Sequence, residues 1–249
     1  GKGMVTMSAK QPLCDKCNSV REFETIAPFP SGQEALFAVA WRCPKCKEAL
    51  ADFCPVGPLV PTLDACMNCG EKYANSLTNS RCAACGMSRD EFLALVGTDA
   101  ADDPAKSAEE LFRFGLARRA LAVLNQSLLT QPQRAEVWLM KVSFLRQIGY
   151  LNTALLLLDK ALGSGAPSSL YFEYGLALQI AGRHSDALSA FSSFDERNPS
   201  SRRLGLSLCA QARSAMKAGK IDAAERLLMR AEEIPPGRTG HMLELATLF

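Results

Sequence analysis

The sequence predicts a multidomain α+β protein in which two small cysteine-rich modules precede an all-α array of paired helices. Two observations lead to this prediction. Eight of the ten cysteines form four C-x-x-C pairs before residue 86, and a set of glycine, alanine, large apolar residue and proline recurs after residue 101. The predicted ranges are 1–13 for a loose segment or tag remnant, 14–57 and 66–96 for the modules, and 101–249 for the helices, including a terminal one.

The composition predicts a soluble protein with its own core. The chain has 249 residues, of which 48% are hydrophobic, and its mean hydropathy is zero. It contains no run of about eighteen apolar residues of the kind that spans a bilayer, and no charged-then-apolar secretory signal follows Met4. We therefore expect a cytoplasmic protein with no membrane span.

A repeat with a period of ~34 residues organises the C-terminal part. Its glycines are 34, 33 and 37 residues apart. Glycine permits the tight turn between two paired helices, and an alanine five residues later lets them approach closely. The glycines are Gly115, Gly149, Gly182 and Gly219, the alanines Ala120, Ala154, Ala187 and Ala224, the large residues after them Leu124, Leu158, Phe191 and Leu228, and the closing prolines Pro132, Pro199 and Pro236.

This register resembles the tetratricopeptide repeat family over more than half of the chain, although Pro104 and Ala215 stand where the family usually has large residues. The resemblance implies a helical solenoid whose concave face, lined by the first helix of each pair, binds a protein or peptide partner. The groove positions that it carries over are Phe112, Arg113, Leu139, Ser143, Arg146, Phe172, Leu176, Gln179, Arg213, Met216 and Lys217.

Two interpretations of the apolar groove residues stay open. They contact a partner, or they are packed by the terminal segment or by the cysteine-rich modules. The terminal segment repeats the first-helix spacing and is either a capping helix or the start of a fifth unit. Its apolar residues are Met242, Leu245, Ala246 and Phe249.

The four C-x-x-C pairs predict two metal sites. Two thiolates separated by two residues grip one face of a tetrahedral ion, and a second pair closes the site, so that no position is left for a water. We therefore predict structural Zn²⁺ sites whose removal by a chelator unfolds the modules. The ligands are Cys14, Cys17, Cys43 and Cys46 in the first module and Cys66, Cys69, Cys82 and Cys85 in the second.

The spacing between the pairs differs in the two modules. In the first, a strand is expected at 35–41, which is the layout of a zinc ribbon. The second resembles a rubredoxin-type knuckle, but only twelve residues separate its pairs and the usual proline is absent, which favours zinc over iron; iron stays an alternative. Cys54 is either a substitute ligand or a buried thiol.

Two helix starts are expected from capping patterns. Ser88 and Glu91 form a capping box, and Asp103 precedes Pro104.

The leading functional hypothesis is a non-enzymatic adaptor or scaffold. Nucleic-acid binding through the ribbons is an alternative, although residues 1–97 carry ten basic and ten acidic side chains rather than a basic excess. A rubredoxin-like redox role is a further alternative. The sequence offers few candidate catalytic residues, because the two histidines, His184 and His241, are expected to face solvent. The nucleic-acid candidates are Lys45, Lys47, Lys72 and Arg81, with the aromatic residues Trp41 and Tyr73.

Overall fold

The computed structural model describes residues 12–29, 36–69, 71, 81–88, 90–92 and 103–234. The chain divides into two compact units, 1–150 and 151–249. These units differ from the predicted domain ranges, since the first unit joins both cysteine-rich modules to the first helices. Residues 1–11, Lys72, Tyr73, His241 and the terminal segment lie outside the described residues, and the expectations for them stay predictions.

A three-stranded antiparallel sheet forms the body of the first module. Its strands, in the order in which they lie across the sheet, are β1 (Glu22–Pro28), β2 (Leu36–Arg42) and β3 (Ala49–Pro55). β2 is the strand expected at 35–41, and its alternate residues Phe37, Val39 and Trp41 are buried on one face. β3 follows the second knuckle and is missing from the prediction, because its residues are mostly exposed and show no clean alternation.

Residues 90–92 are helical, and three further helices of the first unit are described from end to end. They are α1 (Pro104–Arg113), α2 (Ala117–Thr130) and α3 (Ala135–Ile148). Pro104 lies in the first turn of α1, and the Asp103 carboxylate accepts a hydrogen bond of 3.2 Å from the Lys106 amide. This cap confirms the helix start expected at Asp103.

Five helices belong to the described part of the second unit. They are α4 (Leu151–Gly163), α5 (Leu170–Ile180), α6 (His184–Arg197), α7 (Leu204–Lys217) and α8 (Ile221–Glu232). Small residues let these helices approach: a Cβ at Gly175 of α5 would lie 2.6 Å from the Phe191 ring of α6, and Ala212 of α7 packs with Ala224 of α8. Within the described ranges, no helix combines the length and the apolar character needed to cross a bilayer.

The turn glycines of the repeat behave as predicted. Gly115, Gly149, Gly182 and Gly219 each follow a helix with φ between +74° and +96°. At each one, the amide of the next residue donates to the carbonyl five residues back at 2.8–2.9 Å, which is a Schellman cap. The four repeat alanines are buried. The predicted fold class is therefore confirmed: a small cysteine-rich module with a three-stranded sheet and a second cysteine-rich module precede helix pairs in tetratricopeptide register.

Candidate metal centres and partner surface

The four C-x-x-C segments share one backbone geometry. In each, the amide of the first cysteine donates to the carbonyl five residues later, at 2.8–2.9 Å. The residue after the second cysteine has a positive φ in the three knuckles where it is described: 51° at Asn18, 62° at Lys47 and 74° at Gly86. This left-handed residue turns backbone amides toward the sulfurs, as a metal-thiolate knuckle requires.

The knuckles bring the predicted ligands together in two clusters. The Sγ atoms of Cys14, Cys17, Cys43 and Cys46 all lie within 4.8 Å of one another, and those of Cys66, Cys69, Cys82 and Cys85 do the same. The sulfurs of Cys14 and Cys46 are 3.5 Å apart in the first cluster, and two sulfur pairs of the second cluster are 3.6 Å apart. Four thiolates at ~2.3 Å from a tetrahedral ion lie ~3.8 Å apart, whereas bonded sulfurs lie ~2.05 Å apart. The geometry fits a metal ion and not disulfides.

Each cluster contains a thiol that ionises readily. A hydrogen bond from Ser19, supported by the Cys46 amide, lowers the pKa of Cys43 to about 6. A hydrogen bond from Cys66 lowers the pKa of Cys85 to about 4. The pKa of Cys17 is raised to about 12 by its hydrogen bond to Cys46 and by burial. Since metals bind thiolates, these hydrogen bonds within each cluster favour the ionised form of one ligand.

The first cluster, called site 1, has an outer shell made by its own module. Arg21 is 2% exposed and donates to the Glu48 backbone carbonyl at 2.8 Å and to its carboxylate at 3.2 Å. The Glu48 carboxylate lies 3.6 Å from Cys14 Sγ and pairs with Lys16 at 3.1 Å. Hydrogen bonding to Lys16 and the charge of Lys16 lower the pKa of Glu48. This network ties the first knuckle to the second.

The second cluster, called site 2, has an outer shell that extends into the helices. Asn68, between its first two cysteines, is 5% exposed and accepts a hydrogen bond of 2.6 Å from Arg118 Nε on α2. Asn125, also on α2, donates to the Met67 carbonyl at 3.2 Å. Side chains from outside the module thus contact the backbone and the polar side chain of the knuckle.

The two modules also share a hydrogen-bonding pattern around one arginine. Arg42 and Arg81 each stand directly before the third cysteine of their cluster, and each donates to the carbonyl of the left-handed residue, Lys47 at 3.2 Å and Gly86 at 2.9 Å. Each arginine also forms an exposed ion pair of 2.7 Å, Arg42 with Glu24 and Arg81 with Glu91.

Glu91 also belongs to the capping box predicted from the sequence. Its carboxylate accepts from the Ser88 amide at 2.9 Å, and its amide donates to Ser88 Oγ at 3.1 Å, which confirms that prediction.

The connector between the modules is held by a buried lysine. Lys141 of α3 has no exposed surface, and its Nζ donates to the Leu59 carbonyl and to Asn125 Oδ1 at 2.7 Å each, and to the Pro58 carbonyl. Three acceptors match the three N–H groups of an ammonium. Burial lowers the pKa of Lys141 to about 7. The sequence patterns did not identify Lys141 as a buried residue. A lysine three residues after Trp138, within an apolar stripe of a helix, is nevertheless a usable signal of a buried polar contact.

The cysteines and histidine outside the clusters are placed as follows. Cys54 lies in β3, 2% exposed and outside both clusters; burial raises its pKa to about 12. It is therefore a buried thiol rather than a substitute ligand. Cys209 is fully buried in a core cluster with Leu208 and Ala231. His184 begins α6 and is only half-buried, but its Nδ1 is inaccessible to solvent, so the expectation that it faces solvent is wrong for this atom.

The predicted groove residues of the first unit are mostly accessible. Arg113 and Arg146 are exposed, and Leu139 and Ser143 are half-buried. Phe112 is half-buried too, and its ring stacks on Phe144 at 4.1 Å.

In the second unit, Phe172 differs from the other groove candidates. It is 7% exposed and packs against the rings of Phe191 and Phe194 at 5.8 and 5.4 Å. Gln179 is half-buried and bonded to Ser214 Oγ at 2.7 Å. Phe172 is thus packed by residues of α6 in the helix core. Packing by the terminal segment or by the cysteine-rich modules, the alternative expected from the sequence, stays a prediction. The other candidates retain accessible surface: Leu176 and Arg213 are half-buried, and Met216 and Lys217 are exposed.

The candidates for nucleic-acid binding are scattered in the first unit. Lys45 and Lys47 are exposed, but Arg81 is paired with Glu91. Trp41 is only 3% exposed and packs edge-on against Phe23 at 6.1 Å. It is a core residue, so it offers no face on which a base could stack.

Comparisons with known proteins give a limited result. No protein-family model matches the sequence, and no curated protein matches it. Among solved structures, two crystal forms of MamA AMB-1 are similar to this chain. One is 22% identical with a TM-score of 0.43, covering 55% of this chain and 80% of that one. The other is 21% identical with a TM-score of 0.41, covering 58% and 87%.

Proposed function

We propose that the protein is a non-enzymatic adaptor that holds a protein or peptide partner along the first helices of its repeats, with two structural zinc sites in its N-terminal modules. The observation that carries the proposal is the accessibility of the groove positions on helices built around a buried core. Within each unit these positions combine an apolar residue with a basic one, Leu139 with Arg146 in the first unit and Met216 with Arg213 in the second. Such a surface suits a peptide segment with apolar anchors and acidic flanks.

Zinc is the proposed ion at both sites. Four thiolates in a closed tetrahedron satisfy Zn²⁺ completely and leave no position for a reacting water, so the ion would act by holding the module together. Eight cysteines gathered as two four-thiol clusters rather than as disulfides agree with a reducing compartment, and we propose a cytoplasmic location. The modules span residues 14–57 and 66–96, and the repeats 101–249, in this proposal.

Metal analysis of the purified full chain tests the zinc proposal. We expect a colourless protein with about two zinc ions per chain, whose helical and sheet signals in circular dichroism decrease when a strong chelator is added. A red protein that contains iron would show that the site concerned is a rubredoxin-like iron centre rather than a zinc site. Metal removal without any spectral change would contradict the structural role.

Affinity capture with crosslinking tests the groove. The full chain is used as bait beside two double variants, Leu139→Ala with Arg146→Glu on α3 and Arg213→Glu with Met216→Ala on α7. Lys160→Ala, exposed on α4 and outside the predicted groove positions, is the control. We expect a crosslinked partner that the control retains and at least one double variant loses by tenfold or more, which corresponds to about 1.4 kcal/mol. A partner that all variants retain equally would contradict the proposal that the groove positions bind it.

A further inference from the structure

Arg118 lies where the sheet of the first module and site 2 both approach α2. Its Nε donates to Asn68 Oδ1 at 2.6 Å. Burial lowers the pKa of Arg118, whereas Cys54 and Asp52, followed by Cys85 and Cys66, raise it when they are ionised. The guanidinium is therefore close enough to two site 2 ligands to feel their charge. Four thiolates around a divalent ion carry a net charge of about −2, which a nearby cation offsets.

Arg118 also fixes the direction of the Asn68 amide. Because Oδ1 accepts from Arg118, Nδ2 of the same amide must point the other way. That nitrogen is buried and has no hydrogen-bond partner, and Asn68 stands between the two site 2 ligands Cys66 and Cys69 in the chain. A sulfur that becomes a metal-bound thiolate is the acceptor that this arrangement leaves for Nδ2.

Asn125 holds the backbone of the same knuckle. Its Nδ2 donates to the Met67 carbonyl at 3.2 Å, while its Oδ1 accepts from Lys141. Gly57 of the connector approaches so closely that a Cβ there would lie 3.1 Å from the Met67 carbonyl and 3.2 Å from Asn125 Nδ2. The segment between Cys66 and Cys69 is thus clamped from α2 and from the connector.

We propose that Arg118 and Asn125 are positioning residues for site 2, so that the metal affinity of this site depends on the repeat helices whereas that of site 1 does not. The inference rests on the proposal that both clusters bind metal. Its basis is the contrast between the two outer shells: Arg21 and Glu48 of site 1 belong to the module itself, and the side chains that clamp site 2 belong to α2. By linkage, metal at site 2 stabilises α2 to the same extent that α2 stabilises the metal.

Zinc affinities measured site by site in the full chain test this inference. Cys14→Ser with Cys43→Ser leaves only site 2, and Cys66→Ser with Cys82→Ser leaves only site 1. Competition with a chromophoric chelator then gives the affinity of each site with and without Arg118→Met. Loss of an outer-shell partner costs about 10–100-fold in metal affinity, and we expect that loss at site 2 with a change of less than about twofold at site 1. Arg21→Met is the reciprocal control and should weaken site 1 alone.

A second variant and a second readout separate this result from misfolding. Asn68→Ala removes the side-chain amide that accepts the hydrogen bond from Arg118, while leaving α2 intact. It should weaken the metal affinity of site 2 to a similar extent. Hydrogen exchange should show that the amides of α2 lose protection when site 2 is emptied and keep it when site 1 is emptied. Unchanged site 2 affinity in Arg118→Met, or equal weakening of both sites, would overturn the inference. A wild-type chain that binds no zinc would instead refute the proposed function itself.

Discussion

Sites 1 and 2 have the same ligands in the same backbone geometry, yet they are built into the molecule in different ways. Site 1 is completed by Arg21 and Glu48 from its own module, and site 2 by Arg118 and Asn125 from a repeat helix. The comparison teaches that the cysteine motif specifies the coordination chemistry, while the outer shell determines whether a metal module is an independent domain or part of a larger one.

The two modules also contact the helices by different kinds of interaction. The sheet of the first module approaches the ends of α1 and α3 by close packing, with Phe23 against Gly115 and Pro28 against Gly149. The connector and the second module are held by buried hydrogen bonds from Lys141 and from Asn125. Packing contacts tolerate small shifts, but buried polar groups are costly as soon as a partner is lost.

The largest effect is expected where the polar attachment is cut. Lys141→Met leaves the Pro58 and Leu59 carbonyls and Asn125 Oδ1 without their donor, and we expect the unfolding free energy of the first unit to fall by about 3–5 kcal/mol. Urea unfolding followed by tryptophan fluorescence measures this unit specifically, because Trp41 and Trp138 are the two tryptophans of the chain. Lys106→Met, an exposed lysine of the same unit, is the control and should change little.

The same lysine predicts a pH dependence. Its folded pKa of about 7 lies below the ordinary value of 10.5, so between these pH values the unfolded chain binds more protons than the folded one. The unfolding free energy should therefore rise with pH across this window, by up to about 1.4 kcal/mol per pH unit, and this contribution is lost as pH falls to 7. If Lys141→Met has the same slope as the wild type, the lysine is not the source.

A smaller loss of stability is expected when a methyl group is added at the packing contact between Phe23 and Gly115. Gly115→Ala would place a Cβ 2.7 Å from Phe23 Cγ at a φ of +76°, whereas Gly219→Ala has φ +74° and open space. We expect losses of about 2–4 kcal/mol and about 1 kcal/mol respectively, the difference being overpacking. Urea unfolding followed by circular dichroism measures both. Equal losses would mean that the Phe23 ring moves aside freely and that the packing contact contributes little.

The smallest effect is expected where the modules are alike. Arg42→Met and Arg81→Met remove exposed arginines that each pair with a glutamate and donate to one carbonyl. Exposed ion pairs contribute about 0.2–1 kcal/mol, so both variants should lose about 1 kcal/mol or less in chemical unfolding, and by similar amounts. A markedly larger loss for one of them would show that the modules differ near their surfaces as well.

The parts of the fold set by local rules were predictable from the sequence. The eight ligands follow from C-x-x-C spacing, the turns at Gly115 and Gly182 from the repeat, and the caps at Ser88 and Asp103 from short-range hydrogen bonding. Each depends on residues that lie less than a repeat apart in the chain. The groove positions stay a prediction carried over from the family, and Phe172 shows that a position assigned to a groove can be taken into the core.

The long-range contacts were not predictable in the same way. Arg118, Asn125 and Lys141 have ordinary places in helices, and their partners lie 50, 58 and 82 residues away in the chain. Periodicity gives the face of a helix on which a residue lies but not which other module covers that face. β3 was missed for a related reason, because it is defined by pairing with β2 rather than by its own alternation.

The burial of the two cysteines outside the clusters means that thiol reactivity can report the metal occupancy of the clusters. Cys54 is 2% exposed and Cys209 is fully buried, so once eight sulfurs are engaged by metal, the folded chain offers no free thiol to a modifying reagent. Any thiol that reacts without denaturant then reports an emptied ligand set. Counting reactive sulfhydryls over time would therefore follow the loss of metal from the two clusters.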